Sequence, residues 1–460
     1  MIARDVLLAM LPEHLLLLGI VLLLVMEIAG IARRGSLAVA LATVLAAVVA
    51  AARLSFDGYA AAPFAGHFSV DAATLLAKAL VLALALPVLL MSREEFEGVE
   101  FPALLLSSLY GVGLMLSADS FLTLFLGLEI MSLPVYVLVL LAYRRPQSAE
   151  AALKYLVLGG TSTAMLLMGV SLLYGGTGSM DIAVFARALG SDDPMARAAA
   201  VLVILALFLK GAIVPFHAWA PDAYEGASVP VTAYMAVVVK AGVLLAAVRV
   251  FGPARLATPM LELVVVLPLA SIVWGNLAAM RQPSLRRMVA YSSIAHAGYL
   301  FYALLGAPEG RLQAVTFYLL AYGVLNLLLF AALPPAVDDG ERDRLDNLKG
   351  LFQRSPFAAL MIGCAMLSLA GIPPFPGFVA KFLIFKNVIA AGYTTYAVLG
   401  LVGSYLGIYF YLRVIQVMFM SVDAPLAAEP LRRHALGASL ACITIALLVA
   451  VFPGWVIARL

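Results

Sequence analysis

Val201-Leu-Val-Ile-Leu-Ala-Leu-Phe-Leu209-Lys210-Gly-Ala-Ile213-Val-Pro215-Phe216 is the stretch on which the reading of this chain turns. Roughly ten apolar residues lead up to Lys210, and Pro215 then interrupts whatever helix they form. Ten residues carry a helix about 15 Å, half-way through a bilayer core of about 30 Å. A lysine at that depth is too far from the surface to snorkel. An ionised group there costs roughly 2.5–3.5 kcal/mol even on the lenient insertion scale, so it marks function by default. Glu129, Lys240 and Lys381 also lie inside otherwise apolar runs. Four such charges in one chain point to an ion path across a membrane, most simply a proton path.

Composition supports the setting. The chain is 64% hydrophobic and 12% charged, with a mean hydropathy of +1.05, whereas a soluble domain carries about 25% charge. A net charge of +3 gives no footprint for nucleic acid. Windows of bilayer length place about fourteen helices, centred from about residue 20 to about residue 444. The first apolar run, Leu15 to Ile31, ends at Arg33 and Arg34 rather than at a small-residue cleavage site, so it reads as a retained helix. The longest polar connection, Asp338–Arg354, reads as a solvated loop. The expected fold is therefore an all-α integral membrane protein forming one domain over residues 1–460. With fourteen helices and both termini outside, sixteen of the 29 Lys and Arg fall in inside loops and nine in outside loops. Arg144, Arg145, Arg286, Arg287 and Arg342 are among the inside set. The bias of cations toward cytoplasmic loops favours that orientation.

Cys364 and Cys442 lie far apart in apolar segments, and the five histidines show no helical ligand spacing. Haem, iron–sulfur and zinc chemistry is therefore not expected on this chain. Two short segments echo one another: Gly211-Ala-Ile213-Val-Pro215-Phe216 and Ala370-Gly-Ile372-Pro-Pro374-Phe375. They lie five helices apart, and an odd separation puts the copies in opposite orientations. Broken helices in an inverted repeat leave backbone groups free to line a buried polar cavity. The repeats are expected over approximately residues 100–250 and 260–420.

Burial and a nearby carboxylate act on a lysine's proton in opposite senses, so a lysine that meets and leaves a glutamate can bind and release a proton without any cofactor. Glu129 sits near the middle of the fifth span, and Lys210, Lys240 and Lys381 follow on later spans. His296 lies within the tenth span and reads equally as a relay member or a packing residue. His217 follows the Pro215 break beside Trp219, Asp222 and Glu225, at a possible mouth of the path. Lys78, two turns into the third span, reads as a snorkelling lysine.

Leu128-Glu129-Ile-Met-Ser132-Leu133-Pro134-Val-Tyr136, Ser148-Ala-Glu150-Ala-Ala-Leu-Lys154-Tyr155 and Leu173-Tyr174-Gly175-Gly-Thr177-Gly178-Ser179 resemble the N-type subunit of respiratory complex I. So do Lys210-Gly-Ala-Ile-Val-Pro215-Phe216-His217-Ala-Trp219-Ala-Pro221-Asp222-Ala-Tyr224-Glu225-Gly226 and Ala290-Tyr291-Ser292-Ser293-Ile294-Ala295-His296-Ala-Gly298-Tyr299. The motifs run from about residue 125 to about residue 380 and are specific in combination. Tyr224-Glu225-Gly226 favours the N-type over the related M- and L-types. The resemblance implies fourteen helices, two inverted five-helix repeats and broken seventh and twelfth helices. It implies that Glu129, Lys210, Lys240 and Lys381 are the glutamate and lysines of the proton path. It also implies a proton-translocating subunit of NADH:quinone oxidoreductase in the bacterial inner membrane, beside M-type and K-type subunits. Flavin, iron–sulfur clusters and quinone would then belong to partner subunits. An Mrp-type cation/proton antiporter subunit, with sodium as a possible ion, shares the scaffold and the Glu/Lys pattern. A membrane anchor of a hydrogenase-type complex would carry a similar pattern, and so would a protein whose buried charges serve only assembly.

Overall fold

A computed structural model describes residues 2–93, 95–142, 146–252, 256, 258–334, 344–421 and 431–460. Arg144, Arg145, Arg342 and the first part of the Asp338–Arg354 connection, through residue 343, lie outside the described residues. Eleven helices among the described residues are long and apolar enough to cross a membrane, and Glu100–Leu116 and Pro356–Ala370 are apolar but shorter. Two of the expected spans are each formed by two helices in succession: Pro194–Lys210 followed by Trp219–Gly226, and Pro356–Ala370 followed by Pro376–Ala390.

Apolar side chains on every face suit these helices to lipid on one side and to each other on the other, with all backbone bonds made internally. Their starts are capped by short polar side chains. Ser120 accepts from the Thr123 N–H at 3.2 Å, Asp193 from Ala196 at 2.7 Å, and Ser284 from Arg287 at 3.3 Å. The segments Val229–Phe251 and Pro308–Ala331 are enclosed along their whole length and Leu285–Leu305 nearly so, whereas Leu11–Ile28 and Gly35–Phe56 keep most of their surface open. The centre of the bundle is therefore built from the segments that carry Lys240 and His296.

Glycines set the closest approaches. A Cβ on Gly111 would stand 2.3 Å from the Met131 nitrogen, and one on Gly127 would stand 2.7 Å from the Met115 nitrogen. Glu100–Leu116 and Phe121–Leu140 thus touch backbone to backbone, the usual use of small residues between membrane helices. Gly275 and Gly298 do the same for Thr258–Ala279 and Leu285–Tyr302: a Cβ there would meet the Ala295 nitrogen at 2.7 Å and the Pro268 oxygen at 2.5 Å.

The two interrupted helices end in the same way. At the first, Ile213 N–H donates to Phe208 O at 2.8 Å and Phe216 N–H to Ile213 O at 2.7 Å. At the second, Ile372 N–H donates to Leu367 O at 3.2 Å and Phe375 N–H to Ile372 O at 3.1 Å. Ala212 and Gly371, which occupy matching places, have φ of 59° and 85°. A left-handed residue after the last turn is the common way to end a helix, and glycine takes it without steric cost.

One small departure from the all-α expectation lies outside the bundle. Ala61–Phe64 pairs antiparallel with Phe68–Val70, with Ala61 opposite Val70 and Phe64 opposite Phe68. Gly66, with φ of 74°, makes the turn. The hairpin covers one end of the bundle, where Phe68 bridges to Ala118.

Candidate functional site

Phe121–Leu140 contains Pro134, which cannot donate to the Ile130 carbonyl and so loosens the helix one turn beyond Glu129. Lys210 is the last residue of Pro194–Lys210. The Lys210 Nζ lies 3.8 Å from Glu129 Oε1. It donates to Ser132 Oγ at 3.1 Å and lies 3.4 Å from Tyr136 Oη. Ser132 and Tyr136 share the face of Glu129, being three and seven residues along the same helix. Thr163 donates its hydroxyl proton to Glu129 Oε1 at 2.5 Å. Glu129 is held by a neighbouring helix, not by the Ser132 of its own helix. A cavity of about 10 Å³ lies between these groups, lined by Glu129, Ser162, Thr163 and Lys210. The Glu129 side chain is 24% exposed at the flank of the chain, and that of Lys210 only 6%.

Lys240 stands at the centre. The helix Lys240–Phe251 is preceded by a π-helical turn, Met235–Val239, a feature that occurs often at functional sites. Lys240 Nζ donates to the Ser293 carbonyl at 2.6 Å and also to Ser293 Oγ. The neighbouring Ser292 shares a hydrogen bond of 2.5 Å with Tyr411 Oη, which in turn lies 3.0 Å from His296 Nε2. His296 Nδ1 lies 2.6 Å from Tyr318 Oη. Ser292, Ser293 and His296 all belong to Leu285–Tyr302, so one helix carries the polar chain onward from Lys240.

Lys381 continues the line. Its Nζ donates to the Ala370 carbonyl at 3.1 Å and to Ser404 Oγ at 2.9 Å. The Ala370 carbonyl is free because Pro356–Ala370 ends there, so the interruption supplies an acceptor to the lysine. The ammonium sits 5.2 Å from the Tyr299 ring centre, and that ring is 5.5 Å from His296, edge to face. Among the described residues, no carboxylate lies within ion-pair distance of Lys240 or Lys381.

His217 is placed differently. Its Nε2 accepts from Trp274 Nε1 at 3.1 Å, near the surface, and it shares no described hydrogen bond with the other five predicted residues. At the end of the bundle opposite the hairpin, Asp222 accepts from Lys154 at 2.7 Å and from Arg287 at 2.8 Å. Arg287 also donates to Glu225 at 2.8 Å. Arg287 begins the helix that holds Ser292, Ser293 and His296.

Residues 118–407 match the family described as NADH:quinone oxidoreductase/Mrp antiporter, TM. NADH-quinone oxidoreductase subunit N of Pelobacter propionicus is 38% identical over 93% of this chain and 92% of its own length. The chain belongs to the NADH-quinone oxidoreductase subunit N family. As a subunit N it is part of an enzyme complex and a multi-pass membrane protein. A chain of respiratory complex I from Thermus thermophilus has the same fold, with a TM-score of 0.85 and 34% identity over 97% of this chain and 98% of that one. A chain of the Mrp complex from Dietzia sp. DQ12-45-1b matches with a TM-score of 0.82 and 25% identity over 98% of this chain and 96% of that one. The scaffold is shared with an antiporter, while the greater identity lies with subunit N.

The charged residues of the line are visible in the sequence, and the groups between them are not. Thr163, Tyr411, Tyr318, Ser404 and Tyr299 are single hydroxyl residues in apolar helices, and nothing in the local pattern separates them from packing residues. Lys78 was expected to snorkel. The structure buries it completely against Glu13, 2.5 Å from Oε1, because the hairpin and Phe68 close over it.

Proposed function

We propose that this subunit moves protons along the line from Glu129 and Lys210 through Lys240 to Lys381, driven by quinone reduction elsewhere in the complex. The observation that carries the reading is the contrast between one lysine held by a carboxylate and two enclosed lysines that, among the described residues, are held by neutral groups, with His296 and Tyr299 bridging those two. A buried ion pair is favourable only in good geometry with its remaining bonds made. Shifting Glu129 against Lys210 therefore changes which lysine can hold a charge, and a proton follows. His296, between two tyrosine hydroxyls, serves as a relay member. His217 stays outside this line.

In this proposal Glu100–Leu116 and the two interrupted pairs also cross the bilayer, which brings the count to fourteen with both termini outside. The matched interruptions and the two glycine-packed helix pairs support inverted repeats over approximately 100–250 and 260–420. The subunit lies in a bacterial inner membrane beside M-type and K-type subunits. Flavin, iron–sulfur clusters and quinone reside on partners, and this chain acts as the translocating part of an H+-translocating NADH:quinone oxidoreductase. Likeness to an Mrp chain keeps cation/proton exchange as a second reading, which sodium dependence of transport tests directly.

The test is proton uptake by inverted vesicles containing the Lys240→Ala complex, with NADH oxidation and assembly followed together. Loss of pumping or of coupled turnover in an intact complex supports the relay. Normal pumping and normal turnover would sink it.

A further inference from the structure

Glu13 and Lys78 form a second enclosed carboxylate–lysine pair that the proposed line does not use. Neither side chain is more than 1% exposed, and Nζ lies 2.5 Å from Oε1. Glu13 is in the first turn of Leu11–Ile28, and Lys78 is near the middle of Ala72–Ala83. Gly113 on a third helix leaves the space, since a Cβ there would stand 2.7 Å from Glu13 Oε1. Charges buried only to hold helices together normally have their remaining hydrogen bonds made. Here Glu13 Oε2 is buried with no hydrogen-bond partner among the described residues.

The pair also has a polar way out. Thr74 lies one turn before Lys78, toward the hairpin, and its Oγ1 accepts from Arg249 at 3.3 Å. Arg249 donates to Asp119 Oδ1 at 2.6 Å, to Ser69 Oγ at 2.8 Å and to the Ala118 carbonyl at 2.7 Å. Asp119 and Arg249 are both partly exposed. Polar groups thus lead from Thr74, one helical turn from the enclosed pair, to solvent at the hairpin end of the bundle.

We propose that Glu13 and Lys78 are a further proton-carrying station, which releases protons at the hairpin face past Thr74, Arg249 and Asp119. The inference rests on the relay reading above. In the step, an N–H bond of the Lys78 ammonium breaks and an O–H bond forms on the Glu13 carboxylate, leaving a neutral amine and a neutral acid. The acid then gives that proton to water at the hairpin face. The amine takes up another proton from the interior, and the ion pair is restored. The proton passes along the Nζ–H···Oε1 hydrogen bond, so Oε1 takes it, and Oε2 remains an unused acceptor on the same carboxyl group.

The experiment uses the assembled complex in inverted vesicles. Glu13→Gln alone strands an ammonium, so the informative variant is Glu13→Gln with Lys78→Met, which removes both charges and keeps the volume. A station predicts that this double variant lowers the protons pumped per NADH about as far as Lys240→Ala does. An unchanged ratio in the double variant, with a lowered ratio in Lys240→Ala, overturns the station and leaves the relay standing. A normal ratio in both removes the relay and the station with it. Should the double variant not assemble, infrared difference spectra during turnover decide. The native complex is expected to show a protonated-carboxyl band that shifts in Glu13→Asp, which retains the pair. A spectrum identical in Glu13→Asp overturns the proposal.

Discussion

Glu129→Gln is the perturbation that most directly probes the proposed relay. Two unit charges 3.8 Å apart attract by about 4 kcal/mol at an effective dielectric of about 20. The Glu129 side chain is 24% exposed, and solvent screening removes part of that attraction. Roughly 2 kcal/mol of coupling remains, within the range of about 0.5–3 kcal/mol measured for groups in contact. If the pair forms or breaks in the slow step, that energy corresponds to about a thirtyfold change in rate. The assay is a double-mutant cycle of Glu129→Gln, Lys210→Met and both together, reading the NADH-driven pumping rate per assembled complex in vesicles. Each single variant is expected to lose at least about tenfold, and the double variant to lose little more than the worse single one. Losses that simply add, or a glutamine variant that keeps more than half the native rate, would refute the argument.

Three further outcomes follow from the same geometry. Lys381→Met removes the donor to Ser404 and to the Ala370 carbonyl, and is expected to abolish pumping with the complex still assembled, as seen by comparing pumping with native electrophoresis. Tyr411→Phe leaves Ser292 Oγ and His296 Nε2 without their shared partner. The shared link in the proposed chain is then broken, so a clear fall in pumping rate is expected, with His296→Ala falling as far; the stranded groups cost about 1–3 kcal/mol each in stability, which subunit abundance in membranes reads separately. Gly111→Val forces a side chain against the Met131 and Ile130 backbone, so loss of assembled complex at growth temperature is expected, measured as subunit abundance in membranes.

How much of this was legible in the sequence depends on the cost of each feature. Lys210, Lys240, Lys381 and Glu129 stood out because an ion in the middle of an apolar run is expensive and needs a reason. The interruptions at Pro215 and Pro374 stood out because proline cannot continue a helix. Glu13 did not stand out, because a carboxylate in the first turn of an apolar helix reads as an interfacial group beside the favourable end of the helix dipole. Only the tertiary fold, with the hairpin above and Gly113 beside it, encloses that carboxylate and turns Lys78 inward. The π-helical turn before Lys240 was equally hidden, since Met235–Val239 is an ordinary apolar stretch. Its extra residue is decided by packing within the fully buried Val229–Phe251 segment.

The arithmetic of charge along the proposed line explains why the subunit would need neighbours to do work. Among the described residues the three lysines of the line have one carboxylate, Glu129, and it lies within reach of Lys210. Lys240 and Lys381 rely on hydroxyls, carbonyls and, for Lys381, the face of Tyr299. Neutral dipoles can cradle an ammonium but cannot replace the attraction of a counter-charge. Charge on the two unpaired lysines is therefore sensitive to any change in the field along the line, and the cheapest change is a displacement of Glu129. That side chain is the most exposed group of the set, at the flank of the chain and held by one short bond to Thr163. A neighbouring subunit that moved or neutralised Glu129 would free Lys210, alter the field at Lys240 and pass the disturbance through Ser293, Tyr411 and His296 toward Lys381. On this reading Thr163→Val, which removes the bond holding Glu129 in place, keeps every charge and every lysine yet loosens coupling. NADH oxidation would continue while the protons pumped per NADH fall, and an unchanged ratio in Thr163→Val would show that the position of Glu129 does not govern the line.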